Sequence, residues 1–197
     1  KNIFSFLLSL VSIIFVFTYP LGPSQISLIS MFTIGIPGFF LSLQPNKNVI
    51  KGRFLQNVLL KALPAGLTDV LVVAALAIFS RTFGVGGEDL STAATMLLAI
   101  VGFMILFKIC KPLNSLRLAI CIGCIVGFLA SCILFPGLFG ISSMSTKCVM
   151  LFVVFSIATE PILRYLTKFN EFIQRLYGDR EQYKKKLKSV KDVLQRE

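Results

Sequence analysis

Ionisable side chains inside long apolar runs are costly, so any that occur are the first candidates for chemistry. Two carboxylates of this chain qualify. Asp69 stands midway along such a run, within Gly66-Leu67-Thr68-Asp69-Val70, where a carboxylate can ligate an ion, carry a proton or hydrogen-bond between helices. Glu160 is followed by Pro161 and, one helical turn on, by Arg164, a spacing that favours a local ion pair. Hydroxyls are the next candidates. Ser27, Ser30 and Thr33 recur every three residues on one helix face, and Gly35 and Pro37 follow directly. A glycine and a proline at membrane depth predict an interrupted helix. The carbonyls freed there, with the hydroxyls, make a hard-oxygen donor set suited to an alkali or alkaline-earth cation. The same residue types also serve ordinary helix packing. Cys121-Ile122-Gly123-Cys124 puts two thiols on one helix face, but with no histidine or carboxylate beside them they read as small buried hydrophobes. The chain has no histidine at all, which removes imidazole catalysis and imidazole metal ligands. It also has no phosphate-cradling glycine loop, nucleophile triad or zinc spacing, so no catalytic residue is assigned.

The elements that must carry these residues follow from composition. The chain has 197 residues, 55% hydrophobic and 15% charged, against about 25% charged in a soluble domain. The apolar residues come in blocks long enough to cross a ~30 Å hydrocarbon core. This excludes a soluble single-core enzyme, and cysteines sitting inside apolar runs exclude a secreted disulfide scaffold. The pattern predicts an all-α polytopic membrane protein with six transmembrane helices, near residues 3–19, 26–43, 63–80, 94–110, 118–135 and 148–166. Helices are the spans of choice because lipid offers no partner to a free backbone amide.

Tyr19-Pro20-Leu21-Gly22-Pro23, the glycine-rich stretch at 83–89 and Pro136-Gly137-Leu138-Phe139-Gly140 are the turns at one end. The opposite joints carry Lys47, Lys51, Arg53 and Lys61, then Lys108, Lys111 and Arg117. The positive-inside rule puts those joints, and both termini, in the cytoplasm. The chain divides into a six-helix membrane domain at 1–167 and a basic cytoplasmic tail at 168–197. In the tail, apolar residues from Phe172 to Leu194 recur at helical spacing among Lys184, Lys185, Lys186, Lys188 and Lys191. This reads as an amphipathic helix, with a break near Gly178, lying on anionic headgroups or docked on a cytoplasmic domain. The lipid bilayer is the implied partner and nucleic acid is not, since membrane topology already accounts for the basic residues. An apolar run beginning almost at Lys1 reads as the continuation of a longer protein.

From Pro23-Ser24-Gln25 to Gln44-Pro45-Asn46 the chain resembles the sixth membrane segment of P-type cation ATPases, which carries P-x-Q and then T-D-G-x-P. Pro23 and Gln25 fit the start; Thr33-Ile34-Gly35-Ile36-Pro37, Leu41 and Pro45 fit the rest. Ile50-Lys51-Gly52-Arg53-Phe54-Leu55 is similar to the family's entry into segment seven, and Leu113-Asn114-Ser115-Leu116 to its L-N-S-L between segments eight and nine. Thr33 to Leu41, Pro45-Asn46-Lys47 and Ala62-Leu63-Pro64-Ala65-Gly66 are similar to the bacterial "cation-transporting ATPase E" branch.

The resemblance implies that the six spans are segments five to ten of a pump in a bacterial plasma membrane. It implies that segments one to four and the phosphorylation, nucleotide and actuator domains belong to the same protein, with ATP and magnesium handled there. It implies an inorganic cation as cargo and an ion path through Ser30, Thr33, Gly35, Pro37 and Asp69, with Gln25, Gln44, Lys108 and Glu160 as weaker candidates.

The departures bear on the cation. Ile34 replaces the coordinating Asp of T-D-G, the segment-five Asn and Glu ligands fall near Phe4 and Leu7, and Lys108 replaces the Glu before L-N-S-L. A two-calcium site of the animal type is thereby excluded. One site remains, using segment four, Ser30, Thr33, backbone carbonyls and help from Asp69. The lack of a cysteine near Pro37 argues against a soft-metal pump, leaving calcium or another hard cation. The alternatives are a free-standing six-span permease or membrane subunit with no ATPase head, which predicts an inverted repeat that residues 1–80 and 90–166 do not display, and a structural scaffold.

Overall fold

A computed structural model describes residues 2–43, 54–112 and 114–194, with side chains described over 3–43, 62–112 and 114–174. Gln44, the basic joint of Lys47, Lys51, Arg53 and Lys61, Leu113, and the tail's Lys184, Lys185, Lys186, Lys188 and Lys191 therefore lie outside the described side chains. All regular structure among the described residues is helical: α1 (Asn2–Ile14), α2 (Pro23–Ser30), a π-helical turn (Met31–Gly35), α3 (Ile36–Ser42), α4 (Phe54–Thr82), α5 (Gly87–Ile109), α6 (Ser115–Leu134), α7 (Pro136–Phe139) and α8 (Thr146–Leu194).

Among the described residues five stretches are long and apolar enough to cross a membrane: Pro23–Ser42, Ala62–Thr82, Gly87–Ile109, Ser115–Leu134 and Thr146–Gln174. The first of the six expected spans is shorter than predicted. α1 has 13 residues, about 20 Å at 1.5 Å per residue, because it stops at Ile14 and Val16 turns left-handed with φ 53°. The last span and the tail differ from expectation too. α8 is a single helix through Pro161 and Gly178 to Leu194, with no break at Gly178. A proline inside a helix removes one N–H, and neighbouring bonds absorb the loss.

α5 is the central post. It packs on α4, α8, α2, α6 and the π turn, whereas α4 packs on α8, α5 and α1. Half of the most apolar stretch of α5 is buried, against 11% of that within Thr146–Gln174, so this part of α8 presents most of its surface to lipid or to other protein. The α5 core stripe is built of small residues, Ala93, Ala94 and Ala99 beside Leu97 and Leu98, which lets neighbouring backbones approach. These residues join Leu8, Leu28, Phe32, Val72, Val73, Leu76 and Phe128 in one cluster spanning six helices.

Candidate functional site: the second span and its polar anchor

The second span begins where Pro23 takes the first helical position, a place that needs no N–H donor. Its hydroxyls then turn back on their own helix. Ser27 Oγ donates to the Pro23 carbonyl at 2.8 Å, Ser30 Oγ to Ile26 at 2.5 Å and Thr33 Oγ1 to Ile29 at 2.7 Å. Each proton is thus used within the helix, while the oxygen lone pairs remain as acceptors.

Between Met31 and Gly35 the helix widens by one residue into the π turn, and Ile36 N–H closes it on the Met31 carbonyl. The interruption expected at Gly35 and Pro37 is therefore a correction: the chain stays wound. The extra residue of a π turn shifts the register of the backbone ladder, so the proline fits without an extended break. Pro37 is buried early in α3 and has no N–H to give the carbonyls one turn back, at Phe32 or Thr33. Gly35 is right-handed at φ −63°, and an added Cβ would meet the Ser30 carbonyl at an ordinary 3.7 Å.

Shape, not polarity, seats the π turn. A Cβ at Gly102 on α5 would lie 2.6 Å from Thr33 Cγ2, and one at Gly127 on α6 would lie 2.6 Å from Phe32 Cε1. Two successive residues of the turn thus enter glycine notches on two different helices. Phe32 also meets Phe128 edge-on, with ring centroids 6.3 Å apart, and Phe103 packs on the same Phe128 ring at 5.7 Å.

At its start the same span is held by polar contacts that the sequence reading ranked low or missed. Gln25 is 3% exposed. Its Oε1 accepts from Gly22 N–H at 2.8 Å and from Ser91 Oγ at 2.8 Å, and its Nε2 donates to the Gly140 carbonyl at 2.9 Å. Beside it, Ser142 N–H donates to Thr92 Oγ1 at 3.0 Å and Ser145 N–H to Asp89 Oδ2 at 2.9 Å. Arg81 Nη1 donates to the Val16 carbonyl at 2.6 Å. The three sparsely charged joints accordingly sit together at one end of the bundle. The available signal was compositional: Glu88-Asp89 and Ser91-Thr92 opening α5, opposite Ser142, Ser143 and Ser145.

The other predicted residues are dispersed. Asp69 is half-buried, with Oδ1 fully covered, on α4 beside the buried Thr68, whose hydroxyl donates to the Pro64 carbonyl at 2.7 Å. α4 neighbours α1, α5 and α8, whereas the π turn neighbours α5 and α6. Lys108 is exposed in the last turn of α5. Glu160 is exposed and pairs with Arg164 one turn away. Cys121 and Cys124 are buried as expected of small hydrophobes, and the reading missed Cys110, whose Sγ accepts from Cys121 Sγ at 3.4 Å. Among the described residues no group of three or more histidines, cysteines or carboxylates is placed to hold a metal ion.

These features define an integral membrane protein of the helical-bundle class, with one span wound irregularly at membrane depth. Known proteins narrow the class. The chain is 31% identical over 154 residues to the probable cation-transporting ATPase exp7 of Streptococcus pneumoniae, covering 74% of this chain and 20% of that protein. It is 33% identical over 106 residues to the calcium-transporting ATPase CtpE of Mycobacterium tuberculosis, covering 52% of this chain and 13% of that protein. A CtpE of Mycolicibacterium smegmatis is 45% identical over 49 residues, a quarter of this chain and 6% of that protein. The chain belongs to the P-type cation-transporting ATPases, as a membrane part spanning a fifth or less of the length of these relatives. No family model and no solved structure matches it.

Proposed function

We propose that this chain is the carboxy-terminal half of the membrane domain of an ATP-driven cation pump, its six helices being segments five to ten, and that its second span forms part of the ion path. The relationship to cation-transporting ATPases over three quarters of the chain carries this reading. The local structure supports it: a π turn at membrane depth, a proline that withholds one helical N–H there, and the hydroxyl oxygens of Ser30 and Thr33 on the same span. Hard oxygens of this kind suit calcium or a similar cation. ATP, magnesium and the phosphorylated carboxylate belong on this reading to other parts of the same protein. The basic joints and both termini face the cytoplasm of a bacterial plasma membrane, residues 1–167 make the membrane domain, and residues 168–197 extend α8 into the cytoplasm.

In the complete protein, Thr33→Ala and Pro37→Ala are expected to lower the apparent cation affinity of ATP-dependent phosphorylation about tenfold, the equivalent of one lost ligand contact of ~1.4 kcal/mol. Unchanged cation dependence in both variants overturns the ion-path assignment. Asp69 gets a separate test: Asp69→Asn shifts the pH or ion dependence of turnover at normal expression if it is a ligand or proton carrier, and leaves both unchanged if it is structural.

A further inference from the structure

Arg81 stands in the last turn of α4, at the end of the span Ala62–Thr82. It is exposed, and its one hydrogen bond uses Nη1 on the Val16 carbonyl. Among the described residues no carboxylate pairs with it. A guanidinium has five N–H donors in a planar fork, so most of its capacity remains unused. The side chain borders a cavity of about 270 Å³ lined also by Phe15, Phe17, Ile78 and Thr82. The surrounding surface is apolar, with Ile14, Val16, Phe79 and Phe83 exposed.

An arginine at the end of a membrane span lays its stem along apolar surface and puts its charge at headgroup level. We propose that this cavity is a binding site for a phospholipid of net negative headgroup. The lipid phosphate would sit on the free edge of the Arg81 guanidinium, with the acyl chains along Ile78, Phe79 and Phe83. Guanidinium matches phosphate geometry in bidentate fashion. The preference for an anionic over a zwitterionic lipid follows from the lining. The lining holds one guanidinium, one hydroxyl and three apolar side chains and no carboxylate, so its net charge is positive and favours a headgroup of net negative charge over one whose own cation the guanidinium repels.

The test uses the protein purified in mild detergent, supplied with phosphatidylglycerol or phosphatidylcholine and examined by native mass spectrometry. The parent is expected to retain about fivefold more phosphatidylglycerol, the preference that one interfacial arginine confers. Arg81→Gln should bring retention to the phosphatidylcholine level, and Arg81→Lys should keep part of the preference. Because Arg81 also holds the Val16 carbonyl, Ile78→Trp is the second probe. It fills the cavity, leaves the guanidinium bond in place, and should abolish the preference equally. Three results overturn the site: equal retention of both lipids by the parent, as would follow if another protein segment covers the cavity; a preference that survives Arg81→Gln; or a preference that survives Ile78→Trp, which would leave only diffuse surface attraction.

Discussion

At its start the second span is held by Gln25, whose side-chain amide reaches three other polar groups. About two turns further on, the π turn is held by Phe32 and Thr33 pressed into glycine notches. The two regions are neighbours on one helix but differ in what fixes them. Near the loops, where water competes for every polar group, three directional bonds on a buried amide fix the position of the helix end. At membrane depth the turn is located by van der Waals shape, which leaves the oxygens of Ser30 and Thr33 and the carbonyls near Pro37 uncommitted to neighbouring helices. On the proposed function, a fixed helix end and oxygens not already spent on packing are both what a cation path through this span would use.

The largest effect is expected from breaking the anchor. Gln25→Ala removes three hydrogen bonds of about 0.5–1.5 kcal/mol each and should lower stability by about 2–4 kcal/mol, read as thermal unfolding in detergent. A Gln25→Ala protein as stable as the parent would mean that shape alone holds the whole span.

Filling the notches should come next. Gly102→Ala or Gly127→Ala overpacks a seated side chain and should cost about 1–3 kcal/mol. At Gly102 the nearest atom is Thr33 Cγ2, so adding Thr33→Ser should recover most of the loss. Failure of that double variant to recover would show that Thr33 does not rest against α5.

The smallest effect is expected far from both regions. Glu160→Ala removes one exposed i,i+4 pair and should change stability by under about 0.5 kcal/mol. A larger loss would give the Glu160–Arg164 pair a role that its exposure does not indicate.

Much of the architecture is local and was legible in the residues. Apolar blocks of membrane length, bounded by Pro20, Gly22 and Pro23 and by Gly84, Gly86 and Gly87, can only be helices in lipid, and turn chemistry marks their ends. The hydroxyl repeat at Ser27, Ser30 and Thr33 could be seen for the same reason, since i,i+3 spacing on a helix is a property of the chain itself. How a helix absorbs Gly35 and Pro37 is not local. A break and a π turn both accommodate the proline, and the choice between them rests on Gly102 and Gly127, two residues of other helices that offer room for Thr33 and Phe32. The partners of Gln25 lie 66 and 115 residues away at Ser91 and Gly140, and the gathering of Cys110 with Cys121 likewise needed α5 and α6 side by side. Sequence determined that this protein lives in a membrane as helices and which of its residues could do chemistry. Tertiary structure decided which of them meet, because hydrogen bonds and steric fits act only over a few ångströms, and only the packed bundle brings distant residues within that range.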